Sequence, residues 1–442
     1  MTEATDLNLA DEKLGAAAKT PPSAAWRTSF VLLGLLLFAL ADFSLRLVYH
    51  PDQLSSPYRS WIYAAVADYP VSGPKPDIVI LGSSLMVAAV NDGDATTLGQ
   101  NIDATTHHRS ITLERALACG EPTATKKKQN KAAPPVRTQS FAIGGQMASD
   151  AYAILRALFG QESSQESSLN DYKASIKKRF VKPKLIVWGI APRDFLDATF
   201  LDPYSSTTVT YLDKISSNHD ALGTRKPYFW HEIEHFCDLI CYSYDQREHL
   251  LVVQKDLIYR LLADMGLVSR ADLGTVKTPQ ELLRIARREL PEDNGINQWV
   301  VKPQTSPITQ FEDNSKEYTA RYKPYKEKLF NSQLDYLQKF LLLAKGLGIK
   351  VVLVNMPLTP DNMALIPEGR YGEYLSKVQA LSSQSQARFI DLNRDRIFTR
   401  QYFNDPVHLN GYGSQRFFTM VGKMIGSCDN LGNNNGNSSQ AH

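Results

Sequence analysis

Three side chains in this sequence have the chemistry of a nucleophile and its base. Ser84 follows an apolar run, Pro76 to Leu81, within Gly82-Ser83-Ser84-Leu85. Asp405 and His408 stand near the other end, in Asn404-Asp405-Pro406-Val407-His408-Leu409-Asn410. A serine hydroxyl attacks poorly until a base takes its proton, and an imidazole serves best when a carboxylate fixes its tautomer. If folding brings both ends of the chain to one edge of a sheet, acyl transfer is the chemistry on offer. The spacing of Asp405 and His408 permits contact within a turn, which Pro406 stiffens. Plainer readings stand beside these. Ser83-Ser84 could merely cap a helix, Ser83 could be the nucleophile, and His408 could cap a helix beginning near Gly411.

The elements that would carry these residues alternate between strand and helix patterns. Strands are expected over Asp77 to Leu81, Phe141 to Gln146 (running into a turn), Leu185 to Trp188, Lys350 to Asn355 and Arg388 to Leu392. Helices are expected over Leu85 to Val90, over Ala148 to Leu158 with Ser149 or Asp150 near its start, and over Leu334 to Lys345. Strands separated by helices predict an α/β fold with a mainly parallel sheet covered on both faces. Residues 92–135 read as mostly polar and irregular, and Gln161 to Ser168 as a surface linker. Leu201 to Lys328 breaks the rhythm. It reads as a helical insertion, with runs at Leu250 to Leu267 and Glu281 to Leu290, placed to shape a groove over the sheet edge. The Asn-rich tail from Asn430 is disordered by composition.

The 442 residues, 43% hydrophobic, are enough for one large core or a core with a smaller subdomain. Forty-nine basic and 46 acidic residues leave a net charge of +3, which argues against a nucleic-acid partner. Lys126-Lys127-Lys128 is too short to alter that and reads as a solvated loop. Phe30 to Leu45 is apolar with Asp42 as its one charge. Extended to Tyr49 it reaches about the 20 residues that span a bilayer core, with Arg46 able to snorkel. The preceding tail, 1–28, contains acidic residues, and no small-x-small site closes the apolar run. Both points favour an uncleaved anchor over a signal peptide. The expected order is a cytoplasmic tail (1–28), a transmembrane helix (29–49), a membrane-proximal linker (50–75) and an extracytoplasmic domain.

The four cysteines form no dense framework. A Cys237–Cys241 disulfide would strain a helix, whereas a long-range pair such as Cys119 with Cys428 is compatible with an oxidising compartment. His231-Glu232-Ile233-Glu234-His235 has the order of a zinc-protease motif. The spacing has no recognisable third ligand, and a structural or surface histidine pair is the plainer reading. No metal is expected.

Taken in order, four short blocks resemble those of the GDSL/SGNH hydrolases. They are Gly82-Ser83-Ser84-Leu85, Gly144-Gly145-Gln146, Gly189-Ile190-Ala191-Pro192-Arg193-Asp194, and Asp405 with His408. The chain looks most like the membrane-anchored branch that modifies cell-surface polymers, which includes alginate O-acetylation and teichoic-acid D-alanylation proteins. The likeness covers roughly Pro76 to Leu196 and Lys350 to Gly426. It implies a flavodoxin-like three-layer sandwich in two parts, 76–200 and 329–428, interrupted by the insertion at 201–328 and followed by a tail at 429–442. It implies Ser84 as nucleophile, His408 as base and Asp405 as the group that orients it. The oxyanion would be held by the N–H groups of Gly145 and Ser84.

The third block departs from the family, whose asparagine would donate a further hydrogen bond. Ala191 cannot replace it. Arg193 could, or it could be locked to Asp194 or Asp197 as scaffold. The resemblance therefore implies a membrane-anchored serine acyltransferase or esterase acting on O-acyl groups of cell-envelope polysaccharide. It would need no cofactor and would work beside a membrane acyl donor or a membrane-bound acyltransferase partner. The alternative is a non-catalytic envelope protein that keeps the fold to bind glycan or to assemble an export complex.

Overall fold

The computed structural model describes residues 24–48, 61–119, 136–160, 179–223 and 300–429, less 71, 105, 201, 217–219, 307–310 and 395–396, together with 237, 241–245 and 265–266. The strands are β1 (Ile78–Gly82), β2 (Ile102–Asp103), β3 (Thr138–Ser140), β4 (Leu185–Ile190), β5 (Val300–Val301), β6 (Lys350–Asn355) and β7 (Arg388–Asp391). Five of them form one all-parallel sheet in the order β3-β1-β4-β6-β7, and β2 pairs antiparallel with β5 apart from it. Counting only the main-sheet strands, this order is 2-1-3-4-5. The chain turns back between β1 and β4, and such a switch point leaves a crevice beyond the carboxyl ends of the strands. Every residue of β1 is buried, which is why it reads as an unbroken apolar run.

The helices, in chain order, are α1 (Ala24–Val48), α2 (Trp61–Ala67), α3 (Ser84–Leu98), α4 (Ile111–Cys119), α5 (Ala148–Ile154), α6 (Arg193–Leu196), α7 (Thr207–Ile215), α8 (Tyr242–Asp245), α9 (Ser315–Tyr322), α10 (Glu327–Gly346), α11 (Pro360–Leu365), α12 (Arg370–Ser385) and α13 (Gly411–Asp429). Helix α5 runs on into a π-helical turn, Leu155–Phe159. Side chains alternate between the faces of a strand. On β4, Trp188 packs on Phe340 of α10, with ring centroids 4.5 Å apart. A side chain on the neighbouring Gly189 would collide with Met86 of α3. Helices α3 and α10 therefore cover opposite faces. Helix α13 packs with α3 and α4, and α5 and α12 pack with α10. A continuous core runs through both layers and includes Leu81, Met86, Phe340, Leu353 and Phe417. Each such side chain contributes about 1.5–3 kcal/mol when fully buried.

Several expectations need correction. The second strand lies three residues earlier than anticipated, at Thr138–Ser140. Phe141 and Ile143 still donate to the carbonyls of Ile80 and Gly82, at 2.8 and 2.9 Å, as the chain turns off the sheet. The stretch from 92 is not irregular. Helix α3 continues to Leu98, and α4 follows. Its polarity serves an internal network, because the fully buried Asp94 accepts from the N–H groups of Ile111 and Thr112, from the Thr112 hydroxyl, and meets His107 Nε2 at 2.8 Å. The supposed insertion also supplies β5 and α9, and α9 packs on α6 and α11. The predicted helix at Leu250 to Leu267, apart from a turn at 265–266, and that at Glu281 to Leu290, the His231–His235 motif, Lys126–Lys128, the linker at Gln161 to Ser168 and the tail from Asn430 lie outside the described residues.

The chain divides into two units, residues 1–50 with 229–250 and the remainder. In the first, α1 carries a row of exposed apolar side chains from Val31 to Leu47. Among the described residues no helix is long and apolar enough to cross a membrane. Asp42 accepts the backbone N–H groups of Tyr242 and Ser243 at 2.9 and 2.6 Å, and the Arg46 guanidinium lies 5.6 Å from the Tyr242 ring centroid. Cys237 and Cys241 are free thiols.

Candidate active site

Ser84 is the first residue of α3, immediately beyond β1, so its hydroxyl stands at the carboxyl edge of the sheet. Ser83 precedes it in extended conformation, and its carbonyl accepts the N–H groups of Met86 and Val87. Its hydroxyl makes no capping bond. It is buried beside the Asp194 carboxylate. Ser84, by contrast, is partly exposed, with Oγ 2.9 Å from His408 Nε2. That separates the two serines, and only the second meets an imidazole.

His408 Nδ1 lies 2.6 Å from Asp405 Oδ2. The other carboxylate oxygen of Asp405 accepts the N–H groups of Val407 and His408, each at 2.8 Å, so the turn grips its own carboxylate. Burial pushes the Asp405 carboxyl up. The hydrogen bond from His408, its charge and the two amides outweigh that, and the group sits below its ordinary value. An ionised Asp405 holds the proton of His408 on Nδ1 and leaves the Nε2 lone pair facing Ser84. His408 does not cap the last helix, because Asn410 Oδ1 accepts the Gly413 N–H at 2.9 Å and takes that role.

Gly145 lies in the turn after β3, exposed, with φ +81°, a conformation that favours glycine. The neighbouring Gln146 side chain pins this turn. Its Oε1 accepts the Gly82 N–H at 2.7 Å, and its Nε2 donates to the Phe141 carbonyl at 2.9 Å. Arg193 opens α6, beyond β4, and is 4% exposed. Its Nη2 would stand 3.8 Å from a Cβ placed on Gly145. The structure thus brings Arg193 to the glycine turn and Ser84 to His408 and Asp405. Arg193 is loosely paired. Nη1 is 3.8 Å from Asp194 and Nη2 is 3.4 Å from Asp197, while Nε and Nη1 make no hydrogen bond. Asp197 has a closer partner in Arg321, at 2.7 Å. Burial drives Asp194 up to about 6 against the pull of Arg193. Nε and Nη1 are thus buried donors without a hydrogen-bond partner, and Nη2 is the nitrogen that faces the glycine turn.

Three participants escaped the sequence reading. Asn314 donates to Asp405 Oδ2 at 3.0 Å, and Arg321 anchors Asp197; both come from the stretch taken for an insertion. Asn404, next to Asp405, donates to Asp92 of α3 at 3.1 Å and so ties the helix of Ser84 to the turn of His408. Burial pushes Asp92 up to about 7. The Asn404-Asp405 order and the acid two turns after Ser84 were visible, but nothing in their spacing pairs them. Among the described residues no group of three or more metal-ligating side chains occurs.

Comparisons with known proteins add little to this geometry. A search of curated proteins finds no match. A family model whose description names neither fold nor activity matches residues 319–428, a segment that includes Asp405 and His408 but not Ser84. Among solved structures the chain is similar to a protein from Bacteroides fragilis assigned by inference as an acylhydrolase. The identity is 11% and the TM-score 0.32, over 83% of this chain and 99% of that one. A likeness so distant carries no argument about fold or activity.

Proposed function

We propose that this chain is a serine acyltransferase or esterase of the SGNH type, with a flavodoxin-like sheet, anchored by α1 and acting on O-acyl groups of cell-envelope polysaccharide. The observation that carries this reading is the continuous chain of contacts from Asp405 through His408 to Ser84. Ser84 Oγ attacks an acyl carbonyl while His408 Nε2 takes its proton, and the imidazolium is stabilised by Asp405. The tetrahedral oxyanion is received beside Gly145, where the backbone N–H of Gly145, that of Ser84 and the unused donors of Arg193 are the available groups. Collapse breaks the bond to the donor's oxygen, which leaves with the proton from His408 Nε2, and the acyl group remains on Ser84. Water or a sugar hydroxyl, deprotonated by the same imidazole, then takes the acyl group and frees the serine. Anchorage beside a membrane acyl donor or a membrane-bound acyltransferase favours the sugar over water. The chemistry needs no metal or organic cofactor.

Ala191, in place of an amide donor, favours one other reading, a glycan-binding or export-complex protein that has kept the fold without the chemistry. Fluorophosphonate treatment of the full chain in detergent separates the two. Labelling at Ser84, abolished by Ser84→Ala, is the expected result. A folded chain that resists the reagent would give the site to binding instead.

A further inference from the structure

Beside the glycine turn lies a cavity of about 290 Å³, just under the usual range for ligand pockets. Gly144 and Gly145 form one wall, and Thr199, Phe200, Ser206 and Thr208 lie among the residues that form the rest. No Lys, Arg or His lines it among the described residues, whereas the Asp150 carboxylate does, so it offers no cationic side chain to a carboxylate or phosphate. Two of its hydroxyls have their hydrogens already committed. Ser206 Oγ donates to Asp150, whose other oxygen accepts the Met147 N–H at 2.8 Å. Thr199 Oγ1 donates to Asp197 at 2.5 Å. Each hydroxyl is left with lone pairs and no spare proton. These two hydroxyls therefore present acceptors, and beside the hydroxyls of Thr207 and Thr208 and the Gly145 N–H, which can donate, they suit a neutral ligand rich in O–H groups. Phe200, partly exposed, supplies an apolar face for the C–H side of a ring.

We propose that this cavity, walled by Gly145 and edged by Ser206 and Thr199, seats a neutral sugar ring of the acyl acceptor. The assignment rests on the reading of Ser84 as the residue that carries the acyl group. In the transfer step a hydroxyl of the seated sugar attacks the Ser84 ester carbonyl. His408 Nε2 takes the hydroxyl proton, a new sugar ester C–O bond forms, the bond to Ser84 Oγ breaks, and the serine receives the proton. Gly145 belongs to the cavity and, in the proposed mechanism, to the oxyanion side, and on that reading a seated ring is beside the carbonyl it must attack.

The test is partition of a single acyl-enzyme. The full chain is treated with p-nitrophenyl acetate in the presence of methyl β-D-glucopyranoside or sodium glucuronate, and acetylated sugar is measured against free acetate. The ratio is internal to each acyl-enzyme, so a partial loss of folding cancels. The wild-type ratio should saturate with the glucoside and exceed that with glucuronate. Ser206→Ala and Thr199→Val should lower it at least about fivefold, and Ser206→Thr should retain it. A ratio that rises linearly with glucoside, that favours glucuronate, or that Ser206→Ala leaves unchanged overturns the assignment. If Ser84 does not react with fluorophosphonate, the reading of Ser84 has failed and the acceptor site falls with it; reaction with fluorophosphonate but an unchanged ratio condemns the acceptor site alone.

Discussion

The side chain of Gln146 joins the end of β1 to the glycine turn, accepting the Gly82 N–H at 2.7 Å and donating to the Phe141 carbonyl at 2.9 Å. Both contacts are buried, and one amide makes them. Gln146→Leu keeps most of the volume and removes both. Stripping a buried group of its partner costs about 1–3 kcal/mol. The urea midpoint should fall by that equivalent with an unchanged m-value, and Ser84 labelling should slow because the turn bearing Gly145 loses its anchor. Slower labelling with no loss of stability would show that the glutamine acts on the site without holding the fold.

Asp405→Asn leaves a similar shape but removes the charge that keeps the His408 proton on Nδ1. Labelling of Ser84 should slow by roughly 10²–10⁴-fold. Asn314→Ala removes one of the hydrogen bonds to that carboxylate and should cost about tenfold. Equal rates for Asp405→Asn and wild type, measured by stopped labelling and mass spectrometry, would remove Asp405 from the mechanism.

Arg193 is held 3.4 and 3.8 Å from its two carboxylates, distances too long for strong pairing. Asp197 retains Arg321 when Arg193 is gone. Arg193→Met should therefore lower the labelling rate per folded molecule by about 10²-fold, the scale of a lost oxyanion donor. A variant that unfolds readily, yet reacts normally in its folded fraction, would make Arg193 scaffold.

The acids of the core predict an unusual dependence of stability on pH. Asp92, Asp150 and Asp194 are pushed up to about 7, 6 and 6, chiefly by burial. Between the ordinary carboxylate value and these, the folded chain binds protons that the unfolded chain does not. Their contribution therefore falls as pH rises from about 4 to 7. Asp405 and Asp197 run the other way: burial raises them, but hydrogen bonds and neighbouring charge hold them below the ordinary value. Their contribution is present above that value and is lost as pH falls through it. Asp92→Asn keeps an acceptor for Asn404 and should flatten the decline in Tm between pH 5 and pH 8. A variant whose Tm tracks wild type across that interval would show that Asp92 does not titrate there.

What the sequence disclosed follows from what its apolar residues do. The strands around Ile80, Val187 and Leu353 are buried on both faces, so each appears as a plain apolar run, and Ser84 stands out at the end of the first. The turn of Asp405 and His408 was legible because both groups lie within one local loop. The strand at Thr138–Ser140 was not, since its polar side chains are buried and bonded: the Thr138 hydroxyl donates to Glu114 at 3.0 Å, and Gln139 Nε2 to the Ala65 carbonyl at 3.3 Å. Asp94 misled for the same reason, because a buried acid resembles a surface one until its four partners are known. Asn314 approaches Asp405 across 91 residues, a distance no local pattern spans.

Asp42 and the amides of Tyr242 and Ser243 meet across about 200 residues of chain. A shortened protein that begins after α1 would lose more than that helix. The backbone N–H groups of Tyr242 and Ser243 would lose their carboxylate acceptor. Asp42→Leu would leave α1 without an acid and release the turn at Tyr242, so trimming by protease near Tyr242 would report on a carboxylate far away in the primary structure.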